Sequence, residues 1–257
     1  MSEALPLVLL VALFGLMVGS FLNVCIGRLP AGESIVRPAS RCPSCRSAIA
    51  WYDNVPVVGY LLLAGRCRRC HVHISARYPA VELATAAAFA LQAFSVGDDL
   101  SLLGPRLVFT GLLIALFGTD LETQRLPNVL TLPGLVVGLL ASLIGPPGLV
   151  DSLIGAAVGG GVLFVIRWGW KRATGVEGMG LGDVKMMAMI GAFLGWREVW
   201  LVLFLASLAG AVFGGALALT GRRSLQARLP FGTFLAAAAF AASLLGTRLL
   251  DWYLGFY

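Results

Sequence analysis

Apolar stretches of about twenty residues recur along this chain and constrain its fold more than any other feature. A helix of that length crosses a hydrocarbon layer of about 30 Å. Eight stretches read as spans: residues 5–26, 79–96, 102–119, 129–145, 149–166, 184–196, 199–219 and 229–247. A single greasy soluble core is excluded, because only 12% of the 257 residues are charged, against about a quarter in soluble domains. The sixth stretch is short. Asp183 to Trp196 covers about 21 Å as a helix, so it is tilted, partly re-entrant or set in a thinned patch of bilayer. Residues 1–26 carry Glu3 as their one charge and lack the basic start and small-x-small site of a cleaved signal, so they read as a retained first span.

The net charge of +6 is distributed in alternation. Between residues 28 and 77 stand Arg28, Arg37, Arg41, Arg46, Arg66, Arg68, Arg69 and Arg77 against Glu33 and Asp53. The next connection holds Asp98 and Asp99, with Arg106 near its end; the one after it holds Asp120, Glu122 and Arg125. Gly145-Pro146-Pro147-Gly148 is uncharged, whereas Arg167, Lys171, Arg172 and Lys185 follow the fifth stretch. Arg197 and Glu198 fill the penultimate turn, and Arg222, Arg223 and Arg228 the last internal loop. Basic residues thus favour every second loop, as positive-inside topology requires. The N-terminus is expected outside, with the first large loop, Asp120 and Asp183 in the cytoplasm. Topology accounts for the arginines, which argues against a nucleic-acid partner.

Within that loop, Cys42-x2-Cys45 and Cys67-x2-Cys70 are separated by 21 residues. Two such knuckles suit a four-thiolate tetrahedral zinc site. A module this small has little core, so a metal staple makes physical sense, and a reducing compartment disfavours disulfides. A redox pair or unliganded thiols are the alternatives, and His71 and His73 are adjacent as substitute ligands. Cys25 lies in the first span and reads as packing. Trp51, Tyr52 and Tyr60 form either the module's small core or an interfacial anchor. The module reads as a docking or lid element rather than a nucleic-acid ribbon. The expected fold is an all-α integral membrane protein: about eight transmembrane helices with a small cytoplasmic zinc-knuckle domain after the first. Its divisions are residues 1–27, 28–77 and 78–257.

Ionisable groups at the ends of apolar spans are costly and are default candidates for function. Asp120 closes a long apolar run, and Asp183 sits in Gly178-Met-Gly-Leu-Gly-Asp-Val-Lys185 directly before the sixth stretch. Gly180 and Gly182 remove side chains beside the acid and permit close approach of an extended peptide. Two facing carboxylates can hold one proton between them. One then activates water while the other polarises a carbonyl and protonates the leaving amine. The only histidines lie in the cysteine module, so no Ser-His-Asp arrangement competes, and no His-Glu-x-x-His is present. A solvated cap or a plain Gly-rich turn is the bland alternative for each acid. Glu177 and Lys185 are candidates to tune the pair, although loop solvation explains them equally well. A proton-coupled transporter would place its acids near the bilayer midplane, and these lie at one face.

Several segments together resemble the type IV prepilin leader peptidases: Gly-x-Gly-Asp at 180–183, Asp120 running into Leu126-Pro127, and the paired Cys-x2-Cys. Gly19-Ser-Phe-Leu-Asn-Val24, Trp51-Tyr-Asp-Asn-Val-Pro56, Ile74-Ser-Ala-Arg-Tyr-Pro-Ala-Val-Glu82 and Leu229-Pro-Phe-Gly232 also match, in the family's order. The resemblance implies a multi-pass enzyme of the bacterial inner membrane. It would cut the leader of prepilins or type II secretion pseudopilins on the cytoplasmic side, then N-methylate the new terminus with S-adenosylmethionine. It places the catalytic pair at Asp120 and Asp183 and the cysteine ligands at Cys42, Cys45, Cys67 and Cys70. Arg46 stands after the first knuckle where the family often has glycine. Methyl transfer rests on the resemblance alone, since no nucleotide-type glycine turn is present. A peptidase without methylation is the first alternative and a transporter the remote one. Gly155-x3-Gly159 and Gly210-x3-Gly214 read as close helix contacts within one chain, favouring a monomer.

Overall fold

The computed structural model describes residues 4–97, 99–220 and 230–255. Asp98, Arg222, Arg223, Arg228 and Leu229, on which parts of the charge and motif readings rest, lie outside them. The chain forms two compact units, Met1–Leu103 and Gly104–Tyr257.

In the first unit, α1 (Ala4–Arg28) runs antiparallel to α3 (Arg77–Val96). The two approach closely because Gly15 and Gly19 present no side chains. A Cβ at Gly15 would stand 2.8 Å from the Ala86 Cα, and one at Gly19 2.7 Å from the Glu82 Cα. Such a small-residue seam lets helix backbones touch where no hydrophobic drive exists between them. Between these helices lie two 3₁₀ turns, the short α2 (Val58–Leu62) and two knuckles, each closed by an isolated antiparallel bridge, Arg41–Ala48 and Arg66–His73.

The second unit comprises most of α4 (Leu100–Thr123), then α5 (Asn128–Ala141), α6 (Leu149–Thr174), α7 (Leu181–Leu194), α8 (Trp196–Leu219) and α9 (Phe231–Leu254). At its centre is α7, whose Met186, Met187, Met189, Ile190 and Ala192 are all fully buried. A helix apolar on every side is a core helix, and α5, α6, α8 and α9 surround this one. Gly134 and Gly138 of α5 abut Met189 and Phe193, while Gly155 and Gly159 of α6 abut the Gly191 and Met187 carbonyls. The Gly155-x3-Gly159 stripe is therefore an intrachain seam, and Gly210 faces Phe234 of α9. Phe109 of α4 stacks on Phe193 at 4.6 Å.

Each of the eight expected spans falls on one helix. Among the described residues, five are long and apolar enough to cross a membrane: Leu5–Ala31, Arg77–Val96, Leu100–Thr123, Leu149–Thr174 and Trp196–Leu219. The expected count of eight crossings is not reproduced by length. Asn128–Ala141 and Phe231–Gly246 are shorter apolar helices, and α7 has 14 residues. Of α7, Met186, Met187, Met189, Ile190 and Ala192 are packed among the other helices.

Candidate active site and metal centre

Asp120 lies in the last turn of α4, which stops at the left-handed Gln124 (φ 52°). Its carboxylate turns toward the start of α9. There its Oδ2 accepts the Thr233 backbone N–H at 2.7 Å and the Thr233 hydroxyl at 3.2 Å. The first turn of any helix carries N–H groups without intrahelical partners and the positive end of its dipole. Asp120 thus caps α9 from another helix, with 4% of its surface exposed.

Asp183 occupies the third position of α7, after the N-cap Gly180. Its carboxylate reaches back to the Gly180 amide, which is one half of a capping box. It is 9% exposed and interacts electrostatically with Asp120. A single side chain, Leu126, packs under both sites. A Cβ at Gly182 would stand 2.9 Å from the Leu126 Cβ. A Cβ at Gly232 would stand 3.0 Å from both the Leu126 Cδ1 and the Asp120 Oδ2. Two buried carboxylates therefore lie at the N-termini of two helices and feel one another's charge, with Leu126 packed on the glycines beside both. That arrangement can share a proton and activate a water.

The other sequence-predicted residues support this corner from outside. Lys185 donates to the Asn128 side chain at 2.8 Å, tying the first turn of α7 to that of α5. Glu177 pairs with Lys171 at 2.8 Å and Arg167 at 2.9 Å, and those cations hold its carboxyl below the usual range. Arg167 also donates to the Met179 carbonyl at 3.0 Å. The loop into Gly180 is thereby fastened to α6 through Glu177 and Arg167. Thr233 carries no signal of its own in the sequence, since a threonine after Pro-Phe-Gly reads as an ordinary helix-end residue, whereas Leu126 figures only as part of the element that follows Asp120. Thr233→Ala keeps the shorter backbone bond and deletes the hydroxyl bond. For the peptide cleavage that the resemblance implies, we expect its kcat to fall about tenfold with KM little changed, measured by steady-state kinetics.

In the cysteine module, all four sulfurs of Cys42, Cys45, Cys67 and Cys70 lie within 4.8 Å of one another. The Cys42–Cys70 and Cys45–Cys67 separations are 3.7 Å and 4.0 Å. A tetrahedron with metal–sulfur bonds of about 2.3 Å has edges of about 3.8 Å, so the four thiols are set to hold one metal ion. Neither His71 nor His73 belongs to the cluster. Ser47, through its hydroxyl and backbone amide, pulls the Cys45 thiol down to about 6, favouring the ligating thiolate. The knuckles are near copies: Arg46 bonds back to the Cys42 carbonyl as His71 does to Cys67. Arg46 (φ 57°) and His71 (φ 56°) are both left-handed, a conformation that disfavours side chains other than glycine. We expect Arg46→Gly to stabilise the loaded module by about 1 kcal/mol, seen as about fivefold slower loss of metal to a competing chelator. Trp51 is 83% exposed and stacks edge-on with Tyr52, so neither builds a core. Arg68 instead clamps Asp53 at 2.8 Å, and Tyr60 donates to the Ile74 carbonyl.

Two family models match: the bacterial peptidase A24 N-terminal domain over residues 13–96, and the type IV leader peptidase family over residues 107–215. The prepilin leader peptidase/N-methyltransferase of Aeromonas salmonicida strain A449 is 41% identical, covering 95% of this chain and 93% of its own. This chain belongs to the type IV leader peptidase family. The protein of that name from Pseudomonas aeruginosa is 38% identical over 99% of this chain and 96% of its own. One from Myxococcus xanthus is 46% identical over 81% of this chain and 62% of its own. No solved structure matches the chain.

Proposed function

We propose that this chain is a multi-pass inner-membrane aspartic endopeptidase that removes the leader of prepilins or pseudopilins and N-methylates the exposed terminus. The meeting of Asp120 and Asp183, both buried at helix N-termini, carries the peptidase reading. One ionised carboxylate takes a proton from water as the water attacks the scissile carbonyl. The other, protonated, donates to the carbonyl oxygen, and the departing amine then receives a proton from the pair. Peptide bond hydrolysis needs no covalent enzyme intermediate here. Gly182 and Gly232 let Leu126 and the Asp120 carboxylate pack closely against the backbone beside the acids.

The charge alternation supports an N-terminus in the periplasm, with the cysteine module and both acids at the cytoplasmic face. A prepilin presents its leader in the cytoplasm and an apolar helix in the bilayer, so its cleavage point comes to that face. Zinc is the metal we assign to the cysteines, since four thiolates and a tetrahedral frame suit it. When bound, it supplies a crosslink and no chemistry on the substrate. S-adenosylmethionine, when bound, supplies the methyl group for the amine. The small-residue seams are used within the chain, which favours a monomer. Co-expression with a prepilin and mass analysis of the pilin N-terminus tests the reading. Loss of the leader with gain of one methyl group is expected. An intact leader would refute the peptidase, and a cleaved, unmethylated terminus would leave the peptidase alone.

A further inference from the structure

Two segments of the first unit that carry the family resemblance, and the residue that directly follows a third, meet at one place, and the proposed cleavage mechanism uses none of them. Gly19 packs on the Cα of Glu82. One turn on, the Asn23 Nδ2 donates to the Tyr78 carbonyl at 3.0 Å. Side chains on a helix lean toward its N-terminus, so the Glu82 carboxylate is directed to the level of Tyr78 and Asn23. There the Val57 N–H donates to the Glu82 Oε2 at 2.7 Å. Val57 holds a left-handed backbone, φ 61°, which is strained for a β-branched residue.

One acceptor in this cluster is left over, and one carboxylate lacks a cation. Glu82 is 7% exposed and its partner is a backbone amide, not a cation. Asn23 is 4% exposed, and its Oδ1 is buried with no hydrogen-bond partner. Its Nδ2 already faces the Gly19 and Tyr78 carbonyls, so an amide flip cannot satisfy Oδ1. A buried carboxylate without a cation and a buried amide oxygen without a donor are costly. A group with several N–H donors, one positive charge and no acceptor meets both needs; a guanidinium and an ammonium both answer to that, and the ammonium is the smaller.

We propose that Glu82 and Asn23 form a binding site for a primary α-ammonium. This rests on the methyl-transfer reading, which brings in two such groups: the new amino terminus of the cut pilin and the amino-acid end of the methyl donor. Glu82→Gln is the informative variant, because its amide oxygen still accepts from Val57 while the charge is gone.

The test is equilibrium binding to the purified full-length chain with no methyl donor present. Mature-pilin N-terminal peptide is compared with its N-acetylated form, and S-adenosylhomocysteine with its N-acetylated form. Wild type is expected to prefer the free amine of one pair by about 10- to 100-fold, the worth of a charge-assisted hydrogen bond. Which pair shows the preference identifies the source of the ammonium. Glu82→Gln should abolish that preference and Asn23→Ala should reduce it, whereas the Asp120→Asn, Asp183→Asn double variant should keep it. Equal affinities in wild type would overturn the site whether or not the variants fold. So would a preference that survives Glu82→Gln or disappears in the aspartate double variant. The methyl-transfer reading fails separately, by an unmethylated pilin from wild type.

Discussion

Asp120→Asn and Asp183→Asn are each expected to lower leader cleavage by about 10⁴-fold or more while leaving the fold intact. Asparagine has the shape of aspartate, and its carbonyl oxygen can still accept the Thr233 N–H or the Gly180 N–H that now holds each acid. What it cannot do is exchange a proton, so the change isolates the chemistry from the packing. The helix caps should survive, and melting temperatures should stay close to wild type. In the proposed mechanism the acids act as one unit, so the double variant should be about as inactive as either single one, not the product of two losses. Single-turnover cleavage of a prepilin in proteoliposomes measures this. Retained cleavage in both single variants would sink the catalytic assignment.

Stripping the metal, or replacing Cys42 with Ser, should collapse the module between α1 and α3. From Leu29 to Ala76 the buried residues are Cys42, Gly59, Gly65 and Cys67, which is no hydrophobic core. The four-sulfur centre therefore carries the fold of this segment, and structural zinc sites supply about 10–16 kcal/mol of binding free energy. Limited trypsin digestion is the readout, since Arg41, Arg46, Arg66, Arg68 and Arg69 all lie in the module. Cleavage there should accelerate by about 100-fold or more on chelation, with the helices of the second unit still protected. A digestion pattern indifferent to chelator would mean that the cysteines hold nothing of structural weight.

Much of this molecule was legible in its residues because lipid simplifies the code. Each long apolar run became a helix, and two Cys-x2-Cys pairs converged on one centre. The gain in detail came where side chains from distant segments meet. Thr233 is 113 residues from Asp120, and only the fold shows that the start of α9 supplies its hydrogen-bond donors. Gly15-x3-Gly19 and Gly134-x3-Gly138 pass unnoticed beside many other glycines until a helix is seen pressed against them. The brevity of α7 suggested a tilted, re-entrant or thinned-bilayer span, and the fold adds that Met186, Met187, Met189, Ile190 and Ala192 are fully buried among other helices. Glu177 lies close in sequence to Asp183, yet it bonds to Arg167 and Lys171, because the loop curls back on α6. Its placement identifies it as a brace for the Gly180 turn.

The water-activating role of the pair Asp120 and Asp183 is most directly tested by one turnover of leader cleavage in water labelled with heavy oxygen. Direct attack by water predicts label in the new carboxyl group of the leader after that first turnover, with none in either aspartate. An unlabelled leader accompanied by label in the Asp120 or Asp183 side chain would contradict it, and would make one aspartate a nucleophile.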